Sequence, residues 1–152
     1  MKGLQNKVII VTGGAGGIGS ATCKRLAEEG AKVAIFDMNL EAAEKLAHEI
    51  NSQNGQALAI KCDITQSDVV EQAVQQIEKE LGPVDGLVNN AGWDIFKPFV
   101  KTNPQEWEKL IQINLVGMLN MHFAVLKGMV ARNSGSIVNI ASDAARVGSS
   151  GE

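Results

Sequence analysis

The sequence predicts a doubly wound α/β fold, in which helices cover both faces of a parallel β-sheet. Five short runs of β-branched and apolar residues alternate with four longer stretches of helical periodicity. A glycine-rich segment, TGGAGGIG, joins the first of these runs directly to the first helical stretch. The length of 152 residues, with 45% hydrophobic and 20% charged residues, suits one globular domain. The order βαβαβαβαβ with right-handed crossovers produces such a sheet.

The five predicted strands are apolar along most of their length, which is typical of strands buried on both faces of a parallel sheet. They are Lys7–Thr12, Lys32–Phe36, Ala57–Lys61, Val84–Asn89 and Ser136–Ala141. No linker, repeat or low-complexity segment divides them. Residues 1–152 are therefore predicted to form a single domain.

The predicted helices are bounded by capping and breaking residues. The first stops at Gly30, the third opens on Ser67 as its N-cap, and the fourth starts at Asn103-Pro104. The predicted ranges are Ile18–Glu29, Leu40–Asn51, Ser67–Leu81 and about Pro104 to Arg132. Only eleven residues follow the fifth strand, so the helices that cover the other half of such a fold are expected to be missing.

Composition argues against several classes of partner. The net charge of −3 gives no electrostatic footprint for nucleic acid or an anionic membrane. No uninterrupted apolar run approaches the ~20 residues that span a bilayer, and the N-terminus has no signal-peptide cleavage site. Cys23 and Cys62 form neither a disulfide framework nor a metal-binding spacing. We expect a cytoplasmic protein with no metal, nucleic-acid or membrane partner.

The glycine-rich segment opens a helix, where free backbone amides hold phosphate groups. Two glycine spacings overlap in it. Gly14, Gly16 and Gly19 fit G-x-G-x-x-G, whereas Thr12, Gly13, Gly17 and Gly19 fit T-G-x-x-x-G-x-G. The second is favoured because the turn glycine should follow the strand directly, as Gly13 does. The context of strand, turn and helix predicts a site for a dinucleotide's pyrophosphate, with Ile18 at the start of the helix.

Asp37 ends the second predicted strand, 18 residues beyond Gly19. A carboxylate at this place accepts hydrogen bonds from the ribose hydroxyls of NAD and repels the 2′-phosphate of NADP. Neither Met38 nor Asn39 supplies a basic side chain for that phosphate. The sequence therefore predicts a Rossmann-type fold that binds NAD in preference to NADP.

Further motifs, in the same order along the chain, resemble the short-chain dehydrogenase/reductase family. TGGAGGIG resembles its cofactor fingerprint, and INLVG and IVNIAS resemble its catalytic segments. The resemblance implies adenine binding by Asp63 and the Ile64 backbone, and a wall beside the nicotinamide from the NNAG segment, which contains Asn90, Ala91 and Gly92. It also implies two catalytic residues, Asn114, which holds a proton-relay water, and Ser142, which binds the substrate oxygen.

The family's Y-x-x-x-K motif has no counterpart here, since the chain contains no tyrosine. Counting from Ser142, the resemblance implies a tyrosine about three residues beyond Glu152. We therefore expect a dehydrogenase that is cut before its catalytic base and inactive in this form. The alternative is a binding module that uses NAD without catalysis. The resemblance further implies a homotetramer for a full-length member.

Two segments narrow the expected substrate. WDIFKPF at 93–99 and SDAARVGSSGE at 142–152 resemble family members that oxidise a ring alcohol beside a CoA thioester. Other alcohol dehydrogenases and 3-oxoacyl reductases share the general motifs and stay open. Three aromatic residues either shape the substrate pocket or pack the loop, namely Trp93, Phe96 and Phe99. Lys97 and Arg146 are candidates for CoA phosphates, or are solvated surface charges. Asp143 either touches substrate or caps its loop.

Overall fold

The computed structural model describes residues 3–147, without the side chains of residues 145 and 146. Five parallel strands form one sheet in the order β3-β2-β1-β4-β5. The strands are β1 (Val8–Thr12), β2 (Lys32–Asp37), β3 (Gln56–Lys61), β4 (Val84–Asn89) and β5 (Ser136–Asn139). The chain moves outward in one direction from β1 to β3 and then crosses to β4 on the other side. The carboxyl ends of β1 and β4 therefore mark the switch point where doubly wound folds bind ligands.

Helices connect the strands, as predicted. They are α1 (Gly17–Glu28), α2 (Leu40–Ser52), α3 (Ser67–Glu80), α4 (Pro104–Ile111), α5 (Gly117–Ala131) and a short α6 (Ala144–Val147). A π-helical turn, Gln112–Val116, joins α4 to α5, so that the predicted fourth helix is one continuous rod. A 3₁₀ turn over Phe99–Lys101 precedes it. Asn103 and Glu106 form a capping box with Pro104 in the first turn, which confirms the predicted helix start.

Two details of the predicted elements are wrong. Ser67 is the first helical residue of α3 and not its N-cap, because Gln66 occupies that position and makes no capping hydrogen bond through its side chain. The fifth strand ends at Asn139 and not at Ala141. Ile140 still donates its backbone N–H to the Asn89 carbonyl at 2.9 Å, so the chain leaves the sheet just after that bond.

Two apolar clusters hold the helices on the sheet. On one face, α3 and α5 bury Val70, Ile77 and Met121 against Ile10 and Phe36. On the other face, α1 and α2 pack against β1 and β2, with Cys23 and Leu46 in the cluster. Successive strand residues point to opposite faces, and Ile137 packs on the first cluster. Its neighbour Val138 therefore points to the second face, where half of its surface is exposed (51%).

The α4–α5 rod carries an exposed apolar stripe along its outer side. The stripe consists of Ile111, Leu115, Leu119, Phe123, Leu126 and Val130. Val125 lies on the other side of the rod, because it is 3% exposed and belongs to the core. By length and composition alone the rod could cross a membrane: it has 28 residues, and its most apolar window has a mean hydropathy of 1.3 and is 22% buried. A core helix meets the same criterion, so this is weak support for a membrane span.

We expect the isolated chain to self-associate through this stripe, because a contiguous exposed apolar surface drives association. Sedimentation velocity should show species larger than a monomer. The double variant Leu119→Glu/Phe123→Glu should shift the distribution toward the monomer without loss of helical circular dichroism, since both side chains are about half exposed or more (52% and 74%). A wild-type chain that sediments as one monomeric species would contradict this expectation.

Asp85 ties the start of β4 to the start of β1. Its carboxylate accepts from Lys7 Nζ at 2.9 Å and from the Val8 backbone N–H at 3.0 Å. Partial burial raises the pKa of Asp85, but these two hydrogen bonds and the positive charges of Lys7 and Arg132 together outweigh it and hold the pKa below its usual range. The bonds therefore stabilise the fold above the unfolded-state pKa of about 3.9, and this contribution is lost as the pH falls through the lower folded-state value.

The urea midpoint should accordingly fall on acidification below about pH 4, and part of that fall should belong to Asp85. In Asp85→Asn the midpoint should be lower at pH 6 and should change less between pH 6 and pH 2.5. Because the Lys7–Asp85 pair is partly exposed, Asp85→Asn should lower the free energy of unfolding at pH 6 by about 1 kcal/mol or less. Identical pH profiles for the two proteins would rule out this contribution.

Candidate nucleotide-binding site

A cleft of about 920 Å³ opens at the carboxyl ends of the strands, at the predicted switch point. Its walls come from the glycine-rich turn after β1, the residues after β2, β3 and β4, and the α4 rod. Ten of the residues predicted from sequence line it. They are Gly13, Gly17, Ile18, Gly19, Asp37, Asp63, Ile64, Asn90, Ala91 and Gly92.

The glycine-rich turn is packed too closely for side chains at two of its predicted glycines. Gly13 has a positive φ of 59°, and a Cβ there would lie 2.9 Å from the Ala91 Cα. A Cβ at Gly19 would overlap the Gly13 carbonyl oxygen and lie 2.8 Å from the Gly14 Cα. Local packing therefore requires glycine at these positions, whether or not a ligand is bound.

Gly17 is different, because a Cβ there would meet no atom within 4 Å. The fold itself does not need a glycine at this position. Gly17 nevertheless lines the cleft and is the first residue of α1. The amides of Gly17, Ile18 and Gly19 have no carbonyl one turn earlier within the helix, and the helix dipole adds positive potential there. The space in front of Gly17 is thus suited to a phosphate group that approaches these amides closely.

Asp37 connects the end of β2 to the glycine-rich turn. Its carboxylate accepts from the Ala15 backbone N–H at 3.0 Å and from the Asn39 N–H at 2.9 Å. The carboxylate therefore shapes the turn and also faces the cleft. Asp63 is organised similarly at the end of β3, where Thr65 donates its N–H at 3.0 Å and its hydroxyl at 2.7 Å.

The two cysteines are buried near these carboxylates. Burial, with a smaller contribution from Asp37, raises the pKa of Cys23 to about 12. Burial and then Asp63 raise the pKa of Cys62 to about 12 as well. Both thiols therefore stay protonated near neutral pH and are poor nucleophiles and metal ligands.

Thr12 lies beneath the cleft and not in its wall. The side chain is 1% exposed, and its hydroxyl oxygen accepts from the backbone N–H groups of Asn90 at 3.1 Å and Ala91 at 3.0 Å. Asn90 in turn donates its amide to the carbonyl oxygens of Thr12 and Gly13 at 3.0 and 3.1 Å. The glycine-rich turn and the segment after β4 are thereby fixed to each other.

Asn114 and Ser142, the predicted catalytic residues, do not line the cleft. Asn114 lies in the π-helical turn, a distortion frequent at functional sites, and its side chain bonds to the backbone of Trp93. Ser142 follows β5, is exposed, and accepts from the Ala144 backbone N–H at 3.2 Å. The described residues thus assemble the candidate cleft but do not bring Ser142 to it.

The loop after β4 holds several of the residues for which two roles were left open. Lys97 pairs with Glu106 at 2.6 Å, and this bond lowers the pKa of Glu106. Phe99 stacks on Trp107 with ring centroids 5.3 Å apart, which is loop packing. Phe96 is 74% exposed, and Trp93 lines the cleft. The side chain of Arg146 and residues 148–152 lie outside the described part of the chain.

Eight further residues line the cleft that the sequence did not predict as site residues, although Gly16 belongs to the glycine spacing that was not favoured. They are Gly16, Phe36, Met38, Cys62, Thr65, Lys109, Gln112 and Ile113. Most are neighbours of predicted residues. Lys109, Gln112 and Ile113 instead come from the α4 rod, where a spacing of three and four residues places them on one helix face. That spacing was visible in the sequence, but the direction of the face was not.

Known proteins place this cleft in context. Residues 7–152 match the short chain dehydrogenase family. The chain is 37% identical over 148 residues to 2,3-dihydro-2,3-dihydroxybenzoate dehydrogenase of Bacillus subtilis strain 168, covering 96% of this chain and 56% of the relative. It is 39% identical over 144 residues to D-threitol dehydrogenase of Mycolicibacterium smegmatis, covering 95% of this chain and 55% of that relative.

Solved structures agree with the fold. NAD⁺-bound xylitol dehydrogenase superposes with a TM-score of 0.94 at 36% identity, covering 99% of this chain and 58% of that one. A metagenomic short-chain oxidoreductase in complex with NADP superposes with a TM-score of 0.86 at 34% identity, covering 91% of this chain and 63% of that one. This chain spans little more than half the length of these relatives, and the C-terminal part of their fold is absent from it. The fold, the cleft and the sequence match together show that the chain belongs to the short-chain dehydrogenase family.

Proposed function

We propose that the chain binds NAD and forms the cofactor-binding part of an oxidoreductase that interconverts a secondary alcohol and a ketone. The observation that carries this proposal is the open space in front of Gly17, at the amides that begin α1. This space fits a diphosphate, and Asp37 lines the same cleft where a ribose would lie. When bound, the nicotinamide supplies hydride transfer, and the protein supplies position and proton transfer.

Asp37 supports NAD over NADP. Its negative charge suits two ribose hydroxyls and opposes a 2′-phosphate. Lys109 is the one cationic side chain among the described residues of the cleft wall, and it comes from α4, whereas Asp37 ends β2. Relatives with this fold have been seen with either cofactor, so the preference rests on Asp37 itself.

The 152-residue chain should bind cofactor without turnover. In the proposed reaction Ser142 hydrogen-bonds the substrate oxygen, and Asn114 organises the exit of the proton through water. A neutral serine hydroxyl is a poor base at neutral pH, and the chain contains no tyrosine. Loss of a general base lowers rates by about 10²–10⁴. A longer protein with tyrosine and lysine at Y-x-x-x-K spacing should be active and tetrameric.

For the substrate we propose a ring alcohol beside a CoA thioester, of the 2-hydroxycyclohexanecarboxyl-CoA type, on the resemblance of WDIFKPF and SDAARVGSSGE. The 3-oxoacyl reductase type is the alternative. Lys97 is not a simple phosphate ligand in this proposal, because a CoA phosphate would have to compete with Glu106 for it. A cytoplasmic location stays part of the proposal.

Calorimetric titration tests the cofactor proposal. NADH should bind at least about a hundredfold more tightly than NADPH, a difference of about 2.7 kcal/mol. Asp37→Asn removes the charge with little change in size. It should weaken NADH binding about tenfold, as expected for the loss of charge-assisted hydrogen bonds. The ratio of the affinity for NADH to that for NADPH should also become smaller. Tighter binding of NADPH by the unmodified chain would contradict the choice of NAD, and a folded chain that binds neither would contradict the proposed function.

A further inference from the structure

The segment that leaves β3 carries two polar groups that the fold does not use. Asp63, Ile64 and Thr65 all line the cleft. The N–H and the hydroxyl of Thr65 both donate to Asp63 Oδ1, and Asp63 Oδ2 has no hydrogen-bond partner among the described residues. The backbone N–H of Ile64 has no partner in the same part of the chain either. An acceptor and a donor on neighbouring residues of the cleft wall are therefore available to a ligand.

This segment lies where the proposed dinucleotide would place its base. Outward from the glycine-rich turn after β1, the sheet continues with β2 and then β3, and Asp37 ends β2. With the diphosphate at the turn and the ribose on Asp37, the base attached to that ribose reaches the residues after β3. This agrees with the adenine-binding role that the family resemblance implies for Asp63 and Ile64.

The two free groups match one kind of purine. Adenine has a donor, its 6-amino group, beside an acceptor, its ring nitrogen N1. These two groups complement the Asp63 carboxylate and the Ile64 N–H. Hypoxanthine has the reverse pattern, because it carries a 6-oxo acceptor beside an N1–H donor. The selectivity between the two bases therefore depends on how firmly the Asp63 carboxylate is held.

A hydrogen bond from α5 fixes the peptide group that holds this carboxylate. Asn120 Nδ2 donates to the Ile64 carbonyl oxygen at 2.9 Å. That carbonyl and the Thr65 N–H belong to one planar peptide group, and the Thr65 N–H donates to Asp63 Oδ1 at 3.0 Å. Asn120 thus holds one end of the peptide group whose other end holds the carboxylate.

Gly117 allows the rod to approach closely enough for this bond. A Cβ at Gly117 would lie 2.6 Å from both Cγ1 and Cδ1 of Ile64, which is 8% exposed and part of the core. Asn120 lies three residues beyond Gly117 and therefore on the same side of the helix. Neither residue lines the cleft, so any effect of Asn120 on a ligand passes through the segment after β3.

We propose that Asn120 is a positioning residue that fixes the Asp63 carboxylate through the peptide group between Ile64 and Thr65, and thereby sets the selectivity for a 6-amino purine. This inference rests on the proposed cofactor site and adds to it a determinant of base selectivity that lies outside the cleft. A hydrogen bond to a charged group contributes about tenfold to a hundredfold to affinity. NADH should accordingly bind at least about tenfold more tightly than reduced nicotinamide hypoxanthine dinucleotide.

The ratio of these two affinities, measured by calorimetric titration, tests the role of Asn120. Asn120→Leu keeps a side chain of similar size and removes the donor. The ratio should fall by about threefold or more, because the peptide group no longer holds the carboxylate in one place. Partial unfolding lowers both affinities equally and cancels in the ratio, so a merely structural role would leave the ratio unchanged. Asn120→Ala, which favours the helix, provides the same test if Asn120→Leu does not fold.

A double-mutant cycle shows whether Asn120 acts through Asp63. Asp63→Ala should itself lower the ratio, because it removes the acceptor for the 6-amino group. In this background Asn120→Leu should change the ratio no further. Leu119→Ala is the matched control, since Leu119 is the neighbouring residue on the exposed outer side of the rod, and it should keep the ratio of the parent chain.

The outcomes separate this inference from the proposed function. A parent chain that binds NADH and its hypoxanthine analogue equally well would overturn the inference while the cofactor site stands. The same holds if both Asn120 variants keep the parent ratio, or if Asn120→Leu lowers the ratio further in the Asp63→Ala background. If the folded parent chain binds neither dinucleotide, the proposed function and this inference fall together.

Discussion

Gly19→Ala should abolish dinucleotide binding and destabilise the fold. The added Cβ would overlap the Gly13 carbonyl oxygen and approach the Gly14 Cα and the Asn90 amide nitrogen to 2.8 and 2.9 Å. Two of these neighbours are backbone atoms, so the turn itself must move. Overpacking of this kind costs about 1–3 kcal/mol or more. Urea unfolding and NADH titration measure the two effects.

Gly17→Ala is the matched control, because it separates binding from folding. Its Cβ would meet no protein atom within 4 Å, so stability should stay within about 0.5 kcal/mol of the parent chain. The methyl group would nevertheless occupy the space where the diphosphate approaches the first amides of α1. NADH affinity should therefore fall by about tenfold or more. An unchanged NADH affinity in Gly17→Ala would mean that the phosphates lie elsewhere.

Thr12→Val should be the most destabilising isosteric change near the cleft. It removes the oxygen that accepts from the Asn90 and Ala91 backbone N–H groups, at a position that is 1% exposed. Each of the two donors left without an acceptor costs about 1–3 kcal/mol, and because both hydrogen bonds are only partly buried, a loss of about 2–4 kcal/mol, in the lower part of the summed range, is expected. NADH affinity should fall as well, because Asn90 and Ala91 line the cleft.

Thr12→Ser keeps the hydroxyl and removes only a methyl group. It should lose about 1 kcal/mol, the typical cost of one buried methyl group, and should keep most of its NADH affinity. Equal losses of stability in the two Thr12 variants would show that the hydroxyl does not fix the segment after β4. The comparison uses urea unfolding at neutral pH with a common slope for both variants.

Much of the fold could be predicted because the signals are local. Apolar runs of strand length, the break at Gly30 and the Asn103-Pro104 cap each depend on neighbouring residues only. The prediction of Ser67 as the N-cap was wrong because a serine at the start of a helical run fits both the N-cap and the first turn. For a related reason the sequence does not distinguish Val125, which is buried, from the exposed apolar residues of the same rod. A helix that is apolar on most sides does not indicate which side meets the core.

The parts of the candidate site that the backbone forms could be predicted from the sequence. Gly13, Gly17 and Gly19 follow from the turn that joins a strand to a helix, and Asp37 follows from the end of the next strand. The pairing of Trp93 with Lys109 did not follow, because the proximity of these two side chains depends on the placement of the α4 rod across the sheet. The buried role of Thr12 was also hidden. A threonine at a strand end fits a ligand contact and an internal acceptor equally well.

A crystal structure of the chain with NADH tests the central claim most directly. We predict diphosphate oxygens at about 2.7–3.2 Å from the amides that begin α1, in front of Gly17, and ribose hydroxyls on the Asp37 carboxylate. A well-folded protein whose cleft holds no dinucleotide at saturating NADH, or one that holds its diphosphate away from α1, would contradict the account.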